Sequence, residues 1–385
     1  VVSFTSGRAK ALLIAAAVLA AVLSGEVQAS QISGVVFVDS NLDDHPDPGE
    51  TRLQGIAVTD GYQIVTTDSY GRYRLSSDAD FIILRLTVPS GYWPTDGHWF
   101  VRLEAPRLPS KIVHFPLRSV EQRVPFTFVH VTDIHILRST AVKVRQFVEE
   151  VAAMEPAPVF VVDTGDMVMD STMLGDPRRA AELFGIYNEA MSGLPGPLLS
   201  VPGNHDHPGF SSADFRRGNP IFGTTGYERL VGPAYYSLDY AGHHLVAING
   251  TELDGEGVGY HCAMPPDCLA WLRQDMAAIP AIQPVIVFIH QPADELTNID
   301  QLLEILAGHP VRAIFHGHHH AVKKSEVGGY TQYMGGALSG AWWAGPCRDG
   351  SPQGYSIVTI TQDGVQTTYQ ALDTIQQVQE SAVNE

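Results

Sequence analysis

The chain has little cysteine, three residues in 385. That excludes a disulfide-built mini-scaffold, and none of the three has zinc-knuckle spacing. Cys262 and Cys268 lie close enough for one disulfide in an oxidising compartment, which leaves Cys347 odd. Positive charge is also scarce: 24 Lys and Arg stand against 42 Asp and Glu, a formal net charge of −18. This balance argues against a nucleic-acid polymer or an anionic membrane as the main partner. A small anionic substrate stays open, because bound metal ions reverse a local field. No predominantly apolar run reaches the ~20 residues of a membrane span. Internal repeats are lacking too. With 44% hydrophobic residues the chain is not a disordered one and can bury a sizeable core.

An Ala/Leu/Val-rich run, Ala11 to Leu23, follows Arg8 and Lys10 and precedes Val27-Gln28-Ala29. A basic start, a short apolar stretch and small residues at the end make a secretory signal peptide, residues 1–29, cleaved after Ala29. A lipoprotein anchor needs a nearby Cys and a twin-arginine route an Arg-Arg pair; the segment has neither. The expectation is an exported protein, periplasmic or extracellular, with no stable membrane span after cleavage.

The length suits two domains better than one. Residues 30–118 show short alternating runs broken by turn residues, such as Gly34-Val35-Val36-Phe37-Val38, Ile56-Ala57-Val58-Thr59 and Arg72-Tyr73-Arg74-Leu75. This texture predicts a small all-β sandwich. Residues 116–124 read as a linker. Over 125–385 apolar strands alternate with helical stretches, which predicts an α/β layered domain. Ser139 can cap a helix running to Met154, and further helices are expected near 177–192, 267–278 and 298–307.

Chemistry-bearing residues follow the apolar runs of this second region. They are Asp133-Ile134-His135, Gly165-Asp166, Gly203-Asn204-His205-Asp206, His290 and Gly317-His318-His319-His320. Strand ends of an open α/β sheet are where ligand groups converge. Carboxylate, amide and imidazole together suit Mn, Fe, Zn or similar ions. Two ions roughly 3.5–4 Å apart need a bridging carboxylate and a bridging water, which ionises to a hydroxide nucleophile near neutral pH. A nearby histidine then protonates the leaving alkoxide. Each motif alone is weak, since Asp-x-His and Gly-Asp are common. Five in this order, each behind a strand, point to a metal site.

Together these motifs resemble the signature of the calcineurin-like metallophosphoesterases, over about 125 to 360. The resemblance implies a double β-sheet sandwich flanked by helices. It implies that Asp133, His135 and His320 hold one metal, that Asn204, His290 and His318 hold the other, and that Asp166 bridges. His205 would be the general acid and Asp206 would orient it. His319 alternates away from its neighbours and reads as a spare. Asp163, three before Asp166, is a candidate second-sphere acceptor. Met169 stands where purple acid phosphatases carry a Tyr. Asp206 stands where protein Ser/Thr phosphatases carry a Glu, and Gly165-Asp166 lacks their following Arg. What remains resembles the bacterial phosphodiesterases and phosphatases.

Three further features bear on function. The segment from His207 to Tyr236 is long and Gly-rich, and Arg216 or Arg217 in it could grip a phosphate. Trp342 and Trp343 sit in a Gly-rich turn and could either stack on a ring at the pocket rim or pack into the sheet. In the first domain, Asp39, Asn41, Asp43, Asp47 and Glu50 occupy positions 1, 3, 5, 9 and 12 of a calcium loop, with Asp44 at the sixth position where Gly is usual. With Asp68-x-x-Gly71-x-Tyr73-x-Leu75 downstream, that domain resembles the B-type repeats of bacterial surface proteins and regulatory-like β-sandwiches. The functional expectation is hydrolysis of a small phosphomonoester or phosphodiester. Attack on a pyrophosphate link in a nucleotide-sugar or lipid-linked substrate is an alternative, as is a surface binding module with a structural metal. A structural metal needs no proton donor, so His205 beside the ligand set favours the enzyme.

Overall fold

In the computed structural model, residues 30–95, 97–104, 110–212, 218–254 and 259–372 are described. The segment 1–29, on which the export reading rests, lies outside them, as do Arg216 and Arg217. No described helix is long and apolar enough to cross a membrane.

Alternation builds the first region. In β4 (Arg72–Ser77) Tyr73, Leu75 and Ser77 are buried while the residues between them are exposed, the period-2 pattern of a strand with one face in a core. Eight more strands join it: β1 (Ser30–Val38), β2 (Ala57–Thr59), β3 (Ile64–Thr66), β5 (Phe81–Leu86), β6 (Tyr92–Pro94), β7 (Phe100–Glu104), β8 (Ser110–Ile112) and β9 (Phe115–Ser119). One sheet runs β4-β1-β9-β6 with β8 also on β1; the other runs β3-β2-β5-β7. Strand β9 reaches Ser119, so the expected linker begins inside the sandwich. The joint to the next region is packed. Asp239 N donates to Val88 O at 2.8 Å, Trp99 stacks obliquely on Tyr236 at 4.5 Å, and the buried Arg85 guanidinium lies 4.6 Å from the Tyr235 ring.

The second region holds two further sheets, of five and six strands. One runs β12 (Leu198–Ser200), β11 (Val161–Asp163), β10 (Phe126–Val131), β21 (Gly354–Ile360), β22 (Val365–Ala371). The other runs β13 (Tyr236–Tyr240), β14 (His243–Ala247), β17 (Val285–Phe288), β18 (Val311–His316), β20 (Tyr330–Met334), β19 (Lys323–Val327), and a small hairpin joins β15 (Thr251–Leu253) to β16 (Tyr260–Cys262). Their inner faces meet through aromatics: Phe128 stacks on Phe160 at 4.9 Å and meets Phe315 edge-on at 5.4 Å. Strand β10 sends Phe126 and Phe128 into this inner core, and Val129 and Val131 into the core beneath the helices. Burial on both faces explains why it reads as a continuous apolar run rather than an alternating one.

Helices α1 (Ala141–Ala152) and α2 (Pro177–Met191) cover the first sheet, burying Val144, Phe147 and Val151, and Phe184 and Tyr187. Asp176 caps α2 by accepting from Arg178 N, with Pro177 in the first turn. Helix α1 starts one residue later than expected, with Thr140 rather than Ser139 at its N-cap position and no capping bond from its side chain. The short α3 (Gly223–Leu230) lies in the segment that reads as a loop by sequence. Helices α4 (Pro266–Ala278) and α5 (Ile299–Leu306) bury Trp271 and Leu272, and Leu302 and Leu306, in the same core as Val285 and Val287 of the second sheet.

Candidate metal centre

Strands β10, β11 and β12 are parallel, as are β14, β17, β18 and β20. Their C-terminal ends therefore share one rim, and the five motifs emerge there. Asp133 and His135 follow β10, Asp166 follows β11, Asn204 follows β12, His290 follows β17, and His318 and His320 follow β18. The loops hold one another by backbone bonds: Asp133 N donates to Gly165 O and His135 N to Asp166 O, both at 2.9 Å.

The turns are strained where the donors sit. Asp133, His135, Asp166, His318 and His320 have φ of 51°, 45°, 55°, 77° and 52°. This left-handed region costs a non-glycine residue roughly 1–2 kcal/mol. Such strain persists when the surroundings over-determine it, which is characteristic of functional sites. Glycine neighbours allow the crowding. A Cβ on Gly203 would stand 2.2 Å from Asp166 Oδ1, and one on Gly317 would stand 2.4 Å from Asp133 Oδ2. The Gly in Gly203-Asn204 and in Gly317-His318 is thus a packing requirement.

Two groups of donors result. Ligand atoms of Asp133, His135 and His320 lie within 4.8 Å of one another, as do those of Asp166, His290 and His318. Asp166 stands between the groups: its Oδ2 is 3.2 Å from His290 Nε2 and 3.7 Å from His135 Nε2, while Oδ1 accepts from His205 N at 2.9 Å. Imidazole nitrogens face each other without a natural pairing, His135 Nε2 to His320 Nε2 at 3.1 Å and His318 Nδ1 to His290 Nε2 at 3.3 Å.

Outer bonds orient the rings. His135, His290 and His320 each point Nδ1 at a backbone carbonyl, those of Met169, Thr164 and Gly340 at 3.3, 2.8 and 2.5 Å. That favours a proton on Nδ1 and aims Nε2 into the centre, where it can serve as the ligand atom once it is unprotonated. Asp133 Oδ1 and Asn204 Oδ1 are buried with no hydrogen-bond partner. A buried oxygen left so is costly unless a cation meets it. The donor set of carboxylate, amide and imidazole fits divalent transition ions. Burial lowers the His290 pKa, but the Asp166 carboxylate outweighs it and raises the group to about 10. Burial, then the charge on His290, pushes His318 down to about 4.

His205 stands at the edge of the centre, with its side chain 30% exposed and Nε2 4.0 Å from Asp166 Oδ2. Its Nδ1 faces Asp170 Oδ1 at 3.7 Å. Burial works against the imidazolium, but Asp170, then Asp166, outweigh it and hold the pKa at about 9.

The family model for the calcineurin-like phosphoesterase domain matches residues 126–322, and models for the N-terminal and C-terminal parts of such enzymes match 41–102 and 332–385. The chain belongs to the calcineurin-like phosphoesterases. It is accordingly a hydrolase of phosphoester bonds. A probable cyclic nucleotide phosphodiesterase of Rhodococcus erythropolis is 27% identical over 224 residues, covering 53% of this chain and 68% of that one. Among solved structures, GAP50 of Plasmodium aligns at a TM-score of 0.41 and 12% identity, over 65% of this chain and 85% of that one. TT1561 of Thermus thermophilus aligns at 0.39 and 16%, over 64% and 99%. The family assignment rests on the family models and not on these two structures.

The phosphoesterase departs from sequence expectation at several points. Asp206 does not face His205. Its carboxylate accepts from Gly203 N at 2.8 Å and Met167 N at 3.0 Å, so it ties the Asn204 loop to the Asp166 loop. The group facing His205 is Asp170, which sequence reasoning overlooked. Its only signal was its place four residues after Asp166, and no rule of spacing aims it at a histidine on another loop. Asp163 accepts from Gly165 N at 3.0 Å and Tyr187 Oη at 2.8 Å, bracing the Asp166 turn. The two tryptophans divide the roles that sequence left open. Trp343 Nε1 donates to His135 O at 3.0 Å under Lys143. Trp342 stays 43% exposed at the rim, its ring 4.8 Å from that of His320 and backed by Arg348. His319 turns to Glu295.

Two possibilities that the sequence left open take definite form in the structure. Cys262 and Cys268 are not bridged; all three cysteines are free, because Cys268 points into the core beneath α4 while Cys262 stays half-buried on the hairpin. In the first domain, Asp44 does adopt the left-handed turn, with φ of 62°. The acidic groups nevertheless close on the loop itself. Asp39 accepts from Leu42 N and Asp44 N at 2.7 and 2.9 Å, and Glu50 from Ser40 N and Asp47 N, both at 2.9 Å. The Asn41 amide nitrogen sits between Asp43 and Asp47 at 3.0 Å from each. Among the described residues this loop does not gather three acidic or histidine ligand atoms within 4.8 Å.

Proposed function

We propose that the enzyme hydrolyses phosphodiesters, and more weakly phosphomonoesters, with a two-metal centre. Asp133, His135 and His320 would hold one ion and Asn204, His290 and His318 the other, with Asp166 between them. The observation that carries this reading is the pair of donor groups facing each other across Asp166 Oδ2, with Asp133 Oδ1 and Asn204 Oδ1 buried and unpartnered. When bound, a metal pair supplies Lewis-acid polarisation of the phosphoryl group and ionisation of the attacking water. The chain supplies the rest. Asp163, Asp206 and the backbone bonds between loops keep the donors in place. His205, protonated below about pH 9, donates to the leaving oxygen, and Asp170 aims its ring. Trp342, exposed beside His320, offers an apolar wall to the ester group.

The diester preference is supported by the relative's name as a cyclic nucleotide phosphodiesterase. Purified protein with Mn²⁺ should turn over bis-(p-nitrophenyl) phosphate faster than p-nitrophenyl phosphate. No turnover of either ester, or of cyclic nucleotides and nucleoside diphosphate sugars, with Mn, Fe, Zn or Ni would sink the proposal. We further propose export, supported by the basic and apolar pattern of residues 1–29. N-terminal sequencing of protein from a periplasmic or culture fraction should begin at Ser30; a cytoplasmic product with the segment intact would sink it.

A further inference from the structure

Two residues unused by the catalytic reading meet one of its ligands at the rim of the centre. Cys262, which sequence spacing pairs with Cys268, ends β16 with a free thiol. Glu295 closes the short 3-10 turn Ala293–Glu295 beyond His290. The Cys262 thiol, a Glu295 carboxylate oxygen and an imidazole nitrogen of His318 all lie within 4.8 Å of one another. They arrive from three separate segments, the β15–β16 hairpin, the turn after β17 and the loop after β18. Glu295 is held from behind by His319 Nε2 at 2.5 Å, a bond of the kind that orients ligating carboxylates. The place is reachable from solvent: the Glu295 side chain is 41% exposed and Cys262 is half-buried, whereas Cys268 and Cys347 are buried.

Its donors differ from those of the main centre, which are nitrogen and oxygen throughout. Thiolate with imidazole and carboxylate is a zinc-type set, and the sulfur selects soft ions over Mn²⁺ or Mg²⁺. His318 belongs to both groups. We propose that Cys262, Glu295 and His318 form an auxiliary site for a thiophilic divalent cation, Zn²⁺ or Cd²⁺, whose occupancy draws His318 from the Asp166–His290 group and inhibits the enzyme. Only the inhibitory half rests on the two-metal reading above. On binding, the Cys262 S–H bond is replaced by a sulfur–metal bond and the proton leaves to solvent; nothing is oxidised or reduced.

The test titrates Mn²⁺-loaded protein with Cd²⁺. One readout is the ultraviolet absorption of the cadmium–thiolate bond, and the other is hydrolysis of bis-(p-nitrophenyl) phosphate. Wild type should develop the band to one equivalent and lose activity with the same midpoint. Cys262→Ser should keep its basal rate, show no band and need at least about tenfold more Cd²⁺ for half-inhibition. His319→Ala, which frees Glu295, should keep the band and move its midpoint up about tenfold. Equal Cd²⁺ uptake by wild type and Cys262→Ser in equilibrium dialysis overturns the site. A full band without loss of activity overturns its inhibitory role. Absence of turnover with every metal defeats the hydrolase reading instead, and the band and dialysis still decide the site.

Discussion

Two stretches of this chain read as metal loops, and they fold to opposite ends. The acidic loop 39–50 largely satisfies itself: the carboxylates of Asp39, Asp43, Asp47 and Glu50 find amide donors within the same short segment, Asn41 supplies the group between Asp43 and Asp47, and Asp44 accepts from Thr95 Oγ1. The centre at the strand ends cannot do this. Its donors come from five loops, four of them pinned in left-handed or glycine-crowded turns, and Asp133 Oδ1 and Asn204 Oδ1 are left buried without a hydrogen bond. A single flexible loop can relax until its polar atoms pair. Donors fixed by separate strands of two packed sheets cannot relax without breaking the sheets, so they stay poised for a ligand.

The contrast can be broken experimentally. The largest effect is expected from Asp166→Asn, which should abolish turnover and release metal, read by elemental analysis; two retained equivalents would remove Asp166 from between the ions. His205→Ala should lose about 10²–10⁴-fold in kcat with metal content intact. A near-normal rate would take His205 out of the mechanism. Asp170→Asn should cost about tenfold and move the alkaline limb of the kcat profile to lower pH. The sign follows from His205: Asp170 helps raise its pKa to about 9, so losing the carboxylate lets the acid form disappear earlier. Asp206→Asn weakens backbone bonds instead, so it should lower stability by about 1–3 kcal/mol and move that limb less than Asp170→Asn does, because its charge is the smallest of the named contributions to the His205 pKa. An unmoved limb in Asp170→Asn, or a larger shift in Asp206→Asn, would reverse their roles. The smallest effect is expected in the first domain. Calcium or a calcium chelator should leave the melting temperature of wild type unchanged within about 1 °C, whereas Asp39→Ala should cost about 1–2 kcal/mol by orphaning backbone amides. A stabilisation of several degrees by calcium would erase the contrast between the loops.

Much of the fold was legible in sequence. The helices near 177–192, 267–278 and 298–307 appear at Pro177–Met191, Pro266–Ala278 and Ile299–Leu306. Apolar periodicity and caps are local signals, and these helices carry them strongly. Helix α3 was hidden because it is short and glycine-rich, with its stability drawn from packing Tyr227 rather than from propensity. The linker was misjudged because β9 is a short sandwich strand whose alternation Pro116, buried out of phase, interrupts.

The residues of the centre were also legible, since unlike donors placed in order behind successive apolar strands seldom arise without a metal to bind. By itself the sequence determined the donor types, their order and the architecture that brings strand ends to one rim. Only the tertiary structure decided which neighbours those groups meet. It set Asp170 rather than Asp206 against His205, separated Trp342 from Trp343, and brought Cys262 to Glu295 instead of Cys268. The reason is physical. Identity and spacing constrain a residue's own segment, but a side chain's partner on another loop depends on how two sheets and their turns pack.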